Sequence, residues 1–133
     1  ILLGDVPTLW PAHSTFLHFC KSRTTPTTFW TDEIRSVVDV RDVVTVIERL
    51  LHNDNSIPFG IYNMGGPQPV SRYDMAVVAV NHREYAVAAV KAATTATTTP
   101  SPLNIAMDST KLLHATGLTF RTLHEIVENM TFE

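Results

Sequence analysis

Cysteine is nearly absent from this chain: Cys20 is the single one. One thiol closes no internal disulfide, which excludes the stapled scaffold of a small secreted domain. Long apolar runs are missing as well. Neither a secretory signal pattern nor a stretch of the roughly twenty apolar residues that cross a bilayer is present, so a soluble cytoplasmic setting without a membrane partner is expected. Basic residues are few: ten Lys and Arg stand against thirteen Asp and Glu, giving a formal net charge of −3. They form no cluster, so nucleic acid, which is bound through a positive field, is not expected as a partner. Glycine is scarce too. The five present are spaced like neither a dinucleotide-binding loop nor a P-loop.

What remains suits one packed core. The 133 residues are 44% apolar and 17% charged, on the globular side of the boundary with disorder. Such a length is short for a complete nucleotide-dependent enzyme, so residues 1–133 are expected to form a single partial domain. The opening "ILLGDVPTLW" is apolar from its first residue and has no initiator methionine, which reads as a strand cut from something longer.

Residues 1–6 are predicted as a buried strand stopped by Pro7 and Pro11, and residues 13–22 as a short helix with Phe16, Leu17, Phe19 and Cys20 on its apolar side. "RSVVDV" (35–40) has the β-branched content of a strand. Asp42 is the expected N-cap of the next helix, in which Val43, Val46, Ile47, Leu50 and Leu51 fall at helical spacing. "FGIYNMGG" (59–66) is predicted as a second strand. Ser71 and Asp74 have the spacing of a capping box for a helix to about Val80, with Tyr73, Ala76, Val77 and Val80 on one face. "YAVAAVKAATTATTTPSP" begins as a short strand or helix and runs into an exposed Thr- and Pro-rich loop, placed at 92–102. "LNIAMD" is a candidate strand, Asp108 a cap for "STKLLHAT", and Gly117 a left-handed C-cap. A final helix from about Thr119 is expected to bury Phe120, Leu123, Val127 and Met130. Strands alternating with helices predict a parallel α/β arrangement.

Chemistry-bearing motifs are thin on the ground. In "GIYNMGGPQPVS" (60–71) a phosphate cradle would need main-chain N–H groups aimed at the anion, and Pro67 and Pro69 have none. The stretch is expected to be a turn in which Gly65 and Gly66 take positive φ. Asp39 and Asp42 flank Arg41 with no third ligand nearby, so capping and ion pairing are expected ahead of a metal. His13, His18 and Cys20 lack a matching second half, and His114 and His124 are discounted likewise, so no metal site is assigned.

Taken in order, "RSVVDVRDVVTVIERLL", "GIYNMGGPQPVSRYDMAVVAV" and "SPLNIAMDSTKLLHATGL" resemble the C-terminal half of the extended short-chain dehydrogenase/reductase family. The resemblance is to the branch that includes dTDP-4-dehydrorhamnose reductase, NAD-dependent sugar epimerases and the regulatory subunit of methionine adenosyltransferase, and it runs over about residues 34–118. It implies the C-terminal portion of a Rossmann-like α/β fold whose N-terminal cofactor-binding part is missing. The family holds NAD or NADP with a Gly-x-x-Gly-x-x-Gly loop and moves a proton through a Tyr-x-x-x-Lys pair. Neither motif is in this sequence: Tyr62, Tyr73 and Tyr85 are followed four positions on by Gly66, Val77 and Ala89. The expectation is a chain that carries no catalytic residue, binds no cofactor alone and depends on an upstream cofactor-binding domain. Uncovered strand edges would favour self-association.

Substrate-binding residues are what the resemblance implies instead. Arg35 stands near an Arg that pairs with the diphosphate of a nucleotide-linked sugar, a task suited to a bidentate guanidinium; a merely solvated Arg is the alternative. Trp30, like Trp10, belongs to a stretch that helps line the substrate cleft, with core packing as the alternative. Ser101 precedes Pro102 where relatives carry a second anion-binding Arg. Two functions stay open. One is the substrate-binding portion of an NAD(P)-dependent reductase or epimerase acting on a sugar-like carbonyl substrate, inactive alone. The other, which Ser101 favours, is a non-catalytic regulatory protein of the same fold.

Overall fold

The structure, a computed structural model, describes residues 1–4, 16–21, 25–52, 57–81, 90–93 and 102–130. Along the chain run β1 (Leu2–Leu3), α1 (Phe16–Lys21), β2 (Thr27–Trp30), β3 (Ile34–Ser36), β4 (Val38–Asp39) and α2 (Val40–Leu51). They are followed by β5 (Pro69–Ser71), α3 (Arg72–Asn81), β6 (Val90–Ala93), α4 (Thr110–Thr116) and α5 (Leu123–Glu128). The strands pair two by two. β1 lies parallel to β4 and β2 parallel to β6, whereas β3 and β5 are antiparallel, so the α/β arrangement is mixed rather than wholly parallel.

Packing follows from the pleat. Val37 and Val38 point to opposite faces, and each joins a different cluster. Val37 packs with Leu3, Leu17, Phe29, Met75, Ile126 and Val127, joining β1, α1, β2, α3 and α5. Val38 packs with Val46, Leu112 and Phe120, joining β4, α2 and α4. Leu17, Met75 and Ile126 are fully buried, each worth about 1.5–3 kcal/mol of burial.

Several local expectations are met by the mechanism proposed for them. Ser71 and Asp74 form the capping box at α3: the Asp74 N–H donates to Ser71 Oγ at 3.0 Å, and the Ser71 N–H to Asp74 Oδ2 at 2.8 Å. Gly117 closes α4 with φ 69°, and its N–H donates to the Leu113 carbonyl at 2.8 Å. The ambiguous stretch after α3 holds a strand, so residues 92 and 93 of the predicted loop belong to β6. Residues 94–101 lie outside the described residues, as do Trp10, His13 and residues 5 and 6 of the first predicted strand.

Other expectations need correction. The N-cap of α2 is Asp39, whose backbone is still extended (φ −73°, ψ 136°) because it ends β4, and its carboxylate accepts from the Arg41 N–H at 2.7 Å. Asp42 sits one turn in, buried, and holds the loop before α5: it accepts from the Arg121 N–H at 2.8 Å and from the Arg121 guanidinium. Residues 61–66 form no strand, and neither Gly65 nor Gly66 has positive φ. Glycine is needed at 66 for close approach instead, since a Cβ there would lie 1.6 Å from the Val37 carbonyl oxygen. "LNIAMD" forms only a bridge between Asn104 and Ile34. Asp108 accepts from the Thr110 N–H at 2.9 Å, but the α4 cap position is Ser109, whose Oγ bonds both the N–H and the carbonyl of Gly65. The last helix starts at Leu123, where Thr122 and Glu125 make a capping box, and Phe120 turns into the other cluster.

Candidate functional site

The three aromatic side chains of one wall come from two elements. Phe16 and Phe19 stand one turn apart on α1 and therefore share a face. Phe29 of β2 meets both edge-on, with ring centroids 5.9 Å from Phe16 and 6.4 Å from Phe19. These rings, with Thr27, Thr28 and Trp30, line a cavity of about 300 Å³.

Charge enters at its rim through Glu33 and Arg72. Glu33 follows β2 and Arg72 opens α3, and the Arg72 N–H donates to the Glu33 carbonyl at 3.2 Å. One Glu33 carboxylate oxygen is held by two guanidinium groups, Arg72 Nε at 3.3 Å and Arg35 Nη2 at 3.3 Å. Two cations on one carboxylate leave a net positive charge at that end. The Arg72 guanidinium also lies over the Phe16 ring, 4.9 Å from its centroid, which joins the cationic end to the aromatic wall. A cavity of this make-up can take a ligand with a planar or apolar part at one end and an anionic part at the other.

Of the residues picked out in the sequence, Trp30 lines the cavity and is half-buried. Arg35 is buried and stands behind Glu33. Its Nη1 donates to the carbonyls of Ile34 at 2.7 Å, Leu103 at 3.1 Å and Pro102 at 3.3 Å, so it ties β3 to the segment before α4. Ser101 lies outside the described residues. Phe16, Phe19 and Phe29 entered the sequence reading only as core or not at all, and Glu33 and Arg72 did not enter as site residues. Of these, Arg72 alone had a local signal, as the first helical residue after the Ser71 cap. Among the described residues no group of three or more His, Cys, Asp and Glu side chains is gathered to hold a metal ion.

Comparison with solved structures shows that this fold resembles part of several enzymes solved with NAD or NADP. The matched structures are of the extended short-chain dehydrogenase/reductase type, and the chain spans about two fifths of their length. Among them is dTDP-4-dehydrorhamnose reductase from Bacillus anthracis in complex with NADP, with a TM-score of 0.70 at 20% identity over 96% of this chain and 43% of that one. The Bordetella bronchiseptica enzyme WbmG in complex with NAD and UDP matches with a TM-score of 0.65 at 16% identity, over 96% of this chain and 39% of that one. UDP-glucuronic acid 4-epimerase from Bacillus cereus in complex with NAD matches with a TM-score of 0.64 at 14% identity, over 97% and 41%. No protein-family model and no curated protein matches the chain. Among the described residues no helix is long and apolar enough to cross a membrane.

Proposed function

We propose that this chain is the substrate-binding portion of an NAD(P)-dependent reductase or epimerase acting on a sugar-nucleotide-like substrate. The observation that carries the reading is the cavity with an aromatic wall and with Glu33 and Arg72 in its lining, Arg35 pairing with Glu33 from behind. A nucleotide-linked sugar offers what such a cavity recognises, a flat base and a diphosphate. The likeness of fold to enzymes solved with NADP, and with NAD and UDP, supports the same class. In this reading Trp30 packs on the ligand, Arg72 meets its anionic part, Arg35 sets the Glu33–Arg72 pair in place, and the sequence has Ser101 where relatives carry a second anion-binding Arg. The glycine-rich loop and the Tyr/Lys pair are supplied from outside residues 1–133, so the chain alone binds without turnover.

The non-catalytic reading keeps the same cavity and drops the reaction; Ser101, in place of a second anion-binding Arg, favours it. Calorimetric titration of the chain with UDP-sugars, dTDP-sugars and NAD tests the binding that both share. Sugar nucleotides are expected to bind and NAD not. Arg72→Met is expected to weaken binding by at least about tenfold, or about 1.4 kcal/mol. A folded chain that binds no sugar nucleotide, or an Arg72→Met variant that binds as before, would sink the proposal. Assay of the native polypeptide for hydride transfer then separates enzyme from regulator.

A further inference from the structure

The Arg72 side chain is held in the cavity by two contacts that leave the tip of its fork open. Its Nε donates to Glu33 Oε2 at 3.3 Å, and the guanidinium lies over the Phe16 ring, 4.9 Å from the centroid. One nitrogen and one face of the planar group are thereby used. Among the described residues neither Nη nitrogen of Arg72 has a hydrogen-bond partner. Two such nitrogens side by side match two oxygens of one phosphoryl group.

Glu33 stands between two cations that differ in freedom. Both reach the same oxygen, Oε2, at 3.3 Å, longer than the roughly 2.7–2.9 Å of a well-formed charge-assisted bond. Behind it, the Arg35 side chain is 9% exposed and its Nη1 is committed to the carbonyls of Ile34, Pro102 and Leu103, so this cation is fixed. In front, the Arg72 side chain is 30% exposed and its guanidinium meets the carboxylate through a single N–H. A ligand anion that draws Arg72 away leaves Glu33 paired with Arg35, so no buried charge is stranded by the exchange.

We propose that Glu33 is an internal competitor for this cavity: its carboxylate holds Arg72 until a ligand phosphoryl group takes its place. Glu33 is then a specificity-determining residue that acts through Arg72. An anion must outbid a carboxylate already tethered beside the guanidinium, and it does so by offering two oxygens to the two Nη nitrogens where Glu33 offers one oxygen to Nε. The exchange keeps the charges in balance. Arg35, Arg72 and Glu33 together carry one positive charge, which a singly charged phosphoryl group neutralises. The proposal takes the phosphoryl group from the function proposed above, but its probe is inorganic diphosphate, so a failure of sugar nucleotides to bind leaves its test intact.

Phenylglyoxal labels accessible guanidinium groups, and mass spectrometry reads each arginine separately. The native polypeptide that contains residues 1–133 is labelled over a series of inorganic diphosphate concentrations, as wild type and as Glu33→Gln, which keeps the shape and removes the charge. In wild type, diphosphate is expected to protect Arg72 and to leave Arg49, exposed on α2, labelled as before. In Glu33→Gln the half-protecting concentration at Arg72 is expected to fall by about three- to fivefold, the upper part of what a partly exposed ion pair is worth. A merely structural Glu33 gives the opposite sign, because an Arg72 that has lost its place holds anions less well. Protection at the same or a higher concentration in Glu33→Gln overturns the proposal, and so does the absence of protection in wild type. If Glu33→Gln does not fold, Glu33→Asp keeps a charge for Arg35 but draws it back from Arg72, and a half-protecting concentration that does not fall in that variant overturns the proposal equally.

Discussion

Removing the charge of Asp39 tests how a strand end and a helix start are joined. Its carboxylate is fully buried, caps α2 through the Arg41 N–H at 2.7 Å and accepts from Arg41 Nε at 3.0 and 3.1 Å. Asp39→Asn keeps the shape and one acceptor oxygen but loses the charge. Since charge-assisted hydrogen bonds are about twice as strong as neutral ones, it is expected to destabilise by about 1–2 kcal/mol. Asp39→Ala also removes the cap, adding about 1 kcal/mol. The Arg41 side chain is 44% exposed and reaches water, so the larger penalty for a stranded buried charge does not apply. Burial alone would raise the Asp39 pKa, but hydrogen bonds and charge from Arg41 outweigh it and hold the group below its ordinary value of 3.8. A carboxylate whose folded pKa is depressed contributes stability above its unfolded pKa, and that contribution is lost as pH falls through the folded value. Urea unfolding followed by circular dichroism should therefore show the gap between wild type and Asp39→Asn at neutral pH and its narrowing below about pH 4. Equal midpoints at neutral pH, or a gap that stays constant into acid, would refute the reasoning.

Two further substitutions probe contacts the fold depends on. Gly66→Ala would place a Cβ 1.6 Å from the Val37 carbonyl oxygen and 2.8 Å from its carbon, main-chain atoms that no rotamer can clear. A loss of at least about 3 kcal/mol in urea unfolding is expected, and an unchanged midpoint would contradict the close approach. Asp42→Ala takes away both acceptors of Arg121 and should cost about 2–4 kcal/mol. In a double-mutant cycle with Arg121→Ala a coupling of about 1–3 kcal/mol is expected, and strict additivity would show that the pair does not hold the loop before α5.

The order of elements was legible because it depends on neighbours in sequence. The Ser71–Asp74 box and the Gly117 cap are recognisable from spacing and residue type, and both form as read. Asp39 and Asp42 show where that kind of reading stops. Either is a good cap by type, and the choice falls to Asp39 because β4 ends there with extended φ and ψ, a consequence of its pairing with β1 across the sequence. The same holds for Gly66, where the demand for glycine comes from Val37, 29 positions earlier, and not from a turn. Periodicity found the apolar arc of α2 but carries no information on which part of it this chain covers.

The cavity was harder to foresee because it joins residues that are distant in sequence. Phe16, Phe29 and Arg72 meet only once α1, β2 and α3 have packed around Leu17, Met75 and Ala76, and none has a local pattern that marks it for a ligand. Trp30 was visible as one of two tryptophans, and Arg35 through the stretch around it. The structure separates two tasks among the arginines. A guanidinium that donates to three carbonyls and one carboxylate, as Arg35 does, holds β3 against the segment before α4. Arg72 makes one ion pair with Glu33 and one ring contact with Phe16 and stays partly open to the cavity. A ligand anion can exchange for Glu33 on Arg72 at the cost of a single 3.3 Å contact, and Arg72 lines the cavity, whereas Arg35 is buried, lies outside the cavity lining and uses its Nη1 to hold three main-chain carbonyls. In the function proposed above, anion recognition therefore falls first to Arg72, with Arg35 fixing the carboxylate that orients it.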